Sequence, residues 1–265
     1  MKTSLCDLTG KTALVAGGCG NIGRAICRAL AHEGATVIVA DINASECLSF
    51  VAELQTTYKN PHSAISADLS TKEGIEKTVE ILTSKSLHGI DIIVHCIGLI
   101  SSVPIPGYAV EFEKQSLDSW ELAIKVNLTS AFLLSQKMYP IIKKQEASVI
   151  FLSSIYGVLG PIWDLYKDSE MNNPLAYGAS KGGLIELMRY LATLWAPNIR
   201  VNTISPGGIK RGQPEKFIKK YEHIVPLKRM AEADDIAGPV VFLASNASKY
   251  ITGQNIMVDG GWTAC

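Results

Sequence analysis

The chain lacks an excess of charge of either sign: Lys+Arg and Asp+Glu both count 25 in 265 residues. Without a basic surplus there is no electrostatic footprint for nucleic acid or an anionic membrane. The expected partner is a small molecule. Long hydrophobic runs are also missing, and none reaches the roughly 18 residues of a membrane span. The N-terminal stretch turns glycine-rich before a signal-like apolar core forms. There is no CxxC pair: Cys6, Cys19, Cys27, Cys47, Cys96 and Cys265 are scattered, as are the five histidines. Free thiols, no metal site and a cytoplasmic location are the expectation. No repeat, low-complexity tract or Pro/Ser linker divides the chain, so its length suits one large domain with a substantial core.

What is present is an alternation of short apolar runs with helical patterns. "TALVAG" (12–17), "TVIVAD" (36–41), "SAISADL" (63–69), "DIIVHCIG" (91–98), "SVIFLSS" (148–154), "RVNTISPGG" (200–208) and "NIMVDGG" (255–261) read as strands. Helical stretches lie between them, from Asn21 to Gly34, over 44–58, and near 71–84, 117–138, 176–194 and 233–245. In the first, Ile22, Ala25, Ile26 and Leu30 share one face at i, i+3, i+4 spacing. Strands apolar on both faces and separated by helices predict a parallel sheet covered on both sides. Right-handed crossovers make that an α/β, doubly wound, Rossmann-like single domain.

"VAGGCGNIGRA" follows the first strand and opens the first helix, and Gly18, Gly20 and Gly23 match G-x-G-x-x-G. Such a turn must be tight and must let the backbone approach a pyrophosphate. The helix N-terminus then offers unpaired N–H groups and a positive dipole end to the phosphates. The second strand ends at Asp41, 18 residues after Gly23. An acid near this distance accepts hydrogen bonds from an adenosine ribose and repels a 2′-phosphate. No Arg or Lys stands beside it in sequence, since Ile42 follows. The expected cofactor is therefore NAD rather than NADP. An Asp that merely caps the turn after a strand is the plainer reading.

From about residue 8 to 263 these motifs resemble the classical short-chain dehydrogenase/reductase family. The family's Thr-Gly-x-x-x-Gly-x-Gly loop appears as "AGGCGNIG", with Ala16 for the threonine and Asn21 for the middle glycine. Asp68-Leu69 resemble the adenine-contacting pair after the third strand. His95-Cys96-Ile97-Gly98 stand where the family has Asn-Asn-Ala-Gly, so His95 occupies a structural rather than a catalytic position. "PGGI" (206–209) resembles the segment that holds the nicotinamide amide, and Arg211 replaces a frequent phosphate-contacting threonine. The ending "YITGQNIMVDGGWTA" matches the family's last strand and tail. The resemblance implies a cofactor site of Gly17, Gly18, Cys19, Gly20, Asn21, Ile22, Gly23, Asp41, Ile42, Asp68, Leu69, Cys96, Gly98, Pro206, Gly207 and Ile209, with Tyr177 and Lys181. It also implies a homo-oligomer, tetramer or dimer, joined through the helices of 117–138 and 176–194.

The reaction centre must be chosen between two Tyr-x-x-x-Lys pairs, Tyr139-Lys143 and Tyr177-Lys181. With nine tyrosines the spacing can arise by chance. Position separates them. Tyr139 ends a helix before the fifth strand, at the bottom of the sheet. Tyr177 opens the helix after it, at the carboxyl edge where ligands bind. "AYGASK" also matches the family's Tyr-x-Ala-Ser-Lys form. A free phenol, with pKa near 10, is a poor base at neutral pH, and a neighbouring ammonium lowers it. The resemblance makes Tyr177 the proton donor and acceptor, Lys181 the residue that also bonds the nicotinamide ribose, Ser154 the residue that orients the substrate oxygen, and Asn127 the holder of a relay water. Only one of Ser153 and Ser154 should point into the site, because side chains alternate along a strand.

From Ser154 to Tyr177 is roughly ten residues more than the family usually shows. The excess, "GPIWDLYKDSEMNNP", carries Trp163, Asp164, Tyr166, Asp168 and Glu170. Aromatic faces suit sugar rings and carboxylates suit hydroxyls. "SVPIPGYAVEF" (102–112) forms another wall, and the substrate loops are 99–115, 155–175 and 208–228. Similar sequences with "SSIYG", a long insert and "QPEKF" look like sugar-modifying members of the family. The expected activity is hydride transfer between NAD(H) and an alcohol or ketone of a sugar derivative. An NADPH-dependent 3-oxoacyl reductase and a non-catalytic dinucleotide-binding module are the alternatives.

Overall fold

The computed structural model describes every residue except 1–3, 85–88, 102, 143–145, 168 and 170. The seven apolar runs form β1 (Thr12–Ala16), β2 (Thr36–Asp41), β3 (Ser63–Ser66), β4 (Ile92–His95), β5 (Ala147–Leu152), β6 (Ile199–Pro206) and β7 (Asn255–Val258). All pair in parallel, in the order β3-β2-β1-β4-β5-β6-β7. The order reverses between β1 and β4, which opens a crevice at their carboxyl ends. Register makes that edge flush, because Ala16 lies opposite both Ala40 and His95.

Strand periodicity splits the apolar residues between two cores. Val15, Val37 and Val39 pack under α1 (Asn21–His32), α2 (Ala44–Thr57) and α8 (Asp234–Ala244), through Ile26, Leu30, Phe50, Leu54 and Val240. Leu14, Ile38 and Val149 face the other way, against α3 (Lys72–Ser84), α5 (Ser130–Met138) and α6 (Leu175–Trp195), through Ile75, Leu134, Leu184 and Met188. Successive residues of a strand point to opposite faces, so uniformly apolar strands demand helices on both. The six cysteines are free thiols.

Two features were not visible in the sequence pattern. The helix expected over 117–138 is interrupted: α4 (Leu117–Ile124) passes into α5 through a π-turn over Lys125–Thr129, where Ser130 N–H donates to the Lys125 carbonyl. A further helix, α7 (Glu215–Ile224), follows β6. Its buried Phe217 and Tyr221, one turn apart, join Ile155, Leu165, Val225, Met230 and Trp262 in a third apolar cluster beyond the sheet's carboxyl edge.

Candidate active site

The turn after β1 divides its glycines by function. Gly17 has φ +80°, and a side chain there would press on the backbone of Cys96 and Ile97 at the end of β4. A Cβ at Gly23 would overlap the Gly17 carbonyl, so only glycine lets α1 start so close to the loop. At Gly20 a Cβ would meet the Gly17 oxygen at an ordinary 3.4 Å. The close approaches therefore run through Gly17, Gly18 and Gly23, since a Cβ at Gly18 would lie 2.9 Å from the Val39 side chain and 3.1 Å from the Val15 carbonyl. Asn21 opens α1, as the N-terminus of the helix requires no glycine there.

Asp41, at the end of β2, accepts from Cys19 N–H at 3.0 Å through Oδ2 and from Ile42 N–H at 2.8 Å through Oδ1. It thus does the turn-capping of the plainer reading and also braces the glycine loop. The fold adds a residue that sequence proximity missed. Arg24 donates to the Cys19 carbonyl at 2.9 Å, but its charge pairs with Glu46 at 3.3 Å and its guanidinium stacks 4.6 Å over Phe50. Beneath the loop, Cys19 and Cys47 lie 3.5 Å apart, and burial pushes the Cys19 thiol up to about 12. After β3, Asp68 Oδ1 accepts from Ser70 N–H and Oγ–H, while Oδ2 has no partner among the described residues. Leu69 is buried and Ile42 is exposed.

Glycine clearance, the free N–H groups of the first turn of α1 and a carboxylate at the end of β2 fit a dinucleotide. Residues 206–209 complete the far side. Gly208 N–H donates to Tyr221 Oη at 2.7 Å and Gly207 N–H to the Val258 carbonyl at 2.9 Å. The Ile209 carbonyl accepts from Gln213 at 2.7 Å, and the Ile209 N–H has no backbone acceptor among the described residues, so it is open to a ligand.

Tyr177 and Lys181 stand one turn apart at the start of α6. Lys181 Nζ lies 5.7 Å from the Tyr177 ring centre and donates to the Leu152 carbonyl at 2.7 Å. Gly98, at the end of the loop from β4, faces the same ammonium. Burial and the Arg211 charge push Lys181 down to about 8, while Cys96 opposes them. Burial pushes the Tyr177 phenol above its ordinary value, and hydrogen bonding to Ser154 and the Arg211 charge pull it back. Burial therefore favours the protonated phenol, which can donate a proton. The two adjacent serines separate as strand alternation requires. Ser153 Oγ donates to the Lys181 carbonyl at 2.8 Å, while Ser154 faces Tyr177.

Asn127 sits in the π-turn, fully buried. Its Oδ1 accepts from Leu99 N–H at 2.6 Å, and its Nδ2 donates to Ser180 Oγ at 2.9 Å. A π-turn leaves a carbonyl without its helical partner, and here Ser130 Oγ–H supplies the Val126 carbonyl at 2.6 Å. His95 Nε2 lies 2.9 Å from that hydroxyl. Because Ser130 donates to Val126, it accepts from His95, which assigns the Nε2–H tautomer. Burial, then the Lys181 charge, push His95 down to about 3, so it is neutral. His95 and Ser130 thus brace the turn that carries Asn127. This takes over the support a family asparagine would give, and the histidine is not a base.

The other pair lies elsewhere. Tyr139 follows α5 and stacks on Trp195 at 5.2 Å, near the bridge Ile90↔Ile142 at the opposite end of β4. Lys143 lies outside the described residues.

The insert is docked. Tyr166 Oη and Tyr156 Oη share a hydrogen bond at 2.6 Å, and Asn173 Nδ2 donates to Tyr166 Oη at 3.1 Å. The Tyr166 ring packs on Phe217 of α7, and Lys220 of α7 donates to the carbonyls of Asp164 and Lys167 at 2.8 and 2.9 Å. Trp163 is largely exposed with its ring 6.0 Å from that of Tyr166, and Asp164 pairs with Lys167. Asp168 and Glu170 lie outside the described residues. On the opposite wall, Tyr108 is buried, donates to the Leu99 carbonyl at 3.0 Å and is held against Ala123 and Ala176.

Comparison with known proteins follows this geometry. The model of a family described as enoyl-(acyl carrier protein) reductase matches residues 17–263. A post-translational flagellin modification protein A of Campylobacter coli is 34% identical, covering 96% of this chain and 99% of its own. A 3-oxoacyl-[acyl-carrier-protein] reductase of Aquifex aeolicus is 32% identical over 96% and 98%. A sorbose reductase of Schizosaccharomyces pombe is 31% identical over 98% of each. A short-chain dehydrogenase from Leptospira borgpetersenii, solved with bound NAD+, superposes with a TM-score of 0.85 at 32% identity, covering 99% of this chain and 96% of its own.

Proposed function

The chain belongs to the classical short-chain dehydrogenase/reductase family, and from that premise we propose an NAD(H)-dependent oxidoreductase acting on a secondary alcohol or ketone of a sugar derivative. One observation carries the reading: Tyr177, Lys181, Ser154 and Asn127 meet at the carboxyl edge of the sheet, beside a glycine turn shaped for a dinucleotide. A non-catalytic binding module would not need that set.

The nicotinamide cofactor, when bound, supplies the hydride acceptor or donor. Gly17 to Gly23 and the start of α1 would hold its phosphates, Asp41 its ribose, Asp68 and Leu69 the adenine, and the Ile209 N–H its amide. Ser154 orients the substrate oxygen toward Tyr177. The phenol gives a proton to that oxygen in reduction and takes it in oxidation. Lys181 stabilises the phenolate side of this exchange, because an adjacent ammonium favours the charged form. Asn127 holds the relay side of the site through its bond to the Leu99 backbone.

NAD is favoured because Asp41 would meet the ribose with a negative charge, and Arg24, which bonds the Cys19 carbonyl, already pairs with Glu46. The family model's acyl description supports the alternative, an NADPH-dependent 3-oxoacyl reductase. The sugar reading rests on the tyrosine wall from the insert, with the sorbose reductase relative in support. Shortening 161–173 to a tight turn is expected to cut kcat/KM on the sugar substrate at least tenfold, chiefly through KM. An unchanged value removes the insert from the substrate site.

A homo-oligomer is also part of this proposal. Leu117 and Trp120 on α4, Phe132 on α5, and Tyr190 and Leu194 on α6 leave large apolar side chains exposed along the helices expected to pair. Light scattering should return twice or four times the chain mass, and the mass of one chain would contradict it.

A further inference from the structure

Two consecutive glycines, Gly207 and Gly208, follow β6, and what they provide is clearance. Neither has a left-handed φ. A Cβ at Gly207 would lie 2.8 Å from Tyr221 Oη, and a Cβ at Gly208 2.7 Å from the Tyr221 ring. The side chain of a residue on α7 therefore sits directly against this backbone. Tyr221 is buried, and its ring stacks on that of Trp262 with centres 4.7 Å apart.

Paired glycines make the chain permissive at the point where it must present the Ile209 N–H. The successive peptide groups are nevertheless bonded one by one. Gly207 N–H donates to the Val258 carbonyl at 2.9 Å, the Gly208 carbonyl accepts from Ala231 N–H at 2.9 Å, and Lys210 N–H donates to the Ala231 carbonyl at 2.8 Å. Those are backbone pairs. The peptide between the two glycines is held differently: Gly208 N–H donates to the Tyr221 hydroxyl at 2.7 Å. Each peptide is a rigid plane, so the Ile209 N–H points opposite to the Gly208 carbonyl in the plane they share. If the preceding plane turns, Gly208 moves and the Ile209 N–H moves with it. The same helix also holds the substrate insert, because Phe217 packs on Tyr166 at 5.7 Å and Lys220 donates to the carbonyls of Asp164 and Lys167.

We propose that Tyr221 is a positioning residue: its hydroxyl fixes the peptide between Gly207 and Gly208 and so aims the Ile209 N–H at the nicotinamide amide. This rests on the cofactor reading above, and it makes α7 the element that sets the insert and the nicotinamide segment in one fixed relation.

The test is calorimetry of the intact protein with NADH and with ADP-ribose, which lacks only the nicotinamide. Should NADPH bind more tightly than NADH, it and 2′-phospho-ADP-ribose take their places. Tyr221→Phe keeps the ring, its stack on Trp262 and its contact with both glycines, and removes the acceptor of Gly208 N–H. The Kd for NADH should rise about fivefold, the size of one neutral hydrogen bond, while the Kd for ADP-ribose stays within about twofold. An NADH Kd unchanged in the variant overturns the proposal and leaves the cofactor reading standing. An equal rise for both ligands also overturns it, because a general loosening of the fold does not distinguish the nicotinamide. If Tyr221→Phe does not fold, amide hydrogen exchange on the wild-type protein decides. A slowly exchanging Gly208 N–H supports the proposal, and one exchanging at the rate of an open loop rejects it. Failure of the cofactor reading has a separate signature in wild type. Neither dinucleotide binds, or each binds no more tightly than its nicotinamide-free counterpart, and the role proposed for Tyr221 falls with it.

Discussion

Tyr177→Phe is expected to lower kcat by about 10²- to 10⁴-fold, the usual contribution of a positioned acid–base group. The Kd for NADH should remain within about twofold. Phenylalanine keeps the ring, its packing at the start of α6 and its place beside Lys181 Nζ, 5.7 Å from the ring centre. What leaves is one oxygen, the atom that faces Ser154 and moves the proton. Steady-state rates with a fluorescence titration of NADH separate loss of chemistry from loss of binding. Tyr139→Phe is the matched control, with the same sequence spacing at the opposite end of β4, and it should turn over as wild type. A Tyr177→Phe enzyme within a few-fold of wild type would end the proposed mechanism.

Asp41→Asn should shift the ratio of kcat/KM for NADPH over NADH by about a hundredfold, or roughly 2.7 kcal/mol. Asparagine keeps the side-chain shape and one acceptor oxygen, so the bracing of the Cys19 and Ile42 N–H groups is only partly lost. The negative charge is removed outright, and with it the repulsion of a 2′-phosphate. Losing an acceptor for the ribose hydroxyls should weaken NADH use at the same time. Arg24 sits close enough to the loop to turn toward the new phosphate, at the cost of its pair with Glu46. Initial rates with both cofactors give the ratio directly. A ratio unmoved by the substitution would confine Asp41 to its role in the turn.

Much of the architecture was legible because it follows from short-range rules. Seven uniformly apolar runs separated by amphipathic helices leave little besides a parallel sheet covered on both faces, and the seven strands pair in that way. The choice of Tyr177 over Tyr139 followed from the same topology, since each pair's place relative to β5 assigns it to one edge of the sheet. The glycine turn was legible as a turn, but not which glycines matter. Gly18, Gly20 and Gly23 form the literal motif, whereas the close approaches lie at Gly17, Gly18 and Gly23, because the obstructing atoms belong to neighbouring strands and to the loop itself.

The insert and the π-turn were legible as length and composition only. Trp163, Asp164 and Tyr166 were legible as candidate ligands for a sugar but not their partners: Trp163 lies against Tyr166, and Asp164 pairs with Lys167. Phe217 and Lys220, some fifty residues on, hold the insert in place. Asn127 was found by resemblance. The π-turn that buries it depends on Ser130 and on His95 from a different strand.

By itself the sequence determined the sheet, its ligand-binding edge, and the tyrosine and lysine that stand there. Periodicity and chain order are local properties, and they suffice for these. Only the tertiary structure decided which glycines are indispensable, why His95 is inert and how the insert docks on α7. Each of these depends on which atoms from distant segments share a few ångströms of space, and on the burial and charge found there.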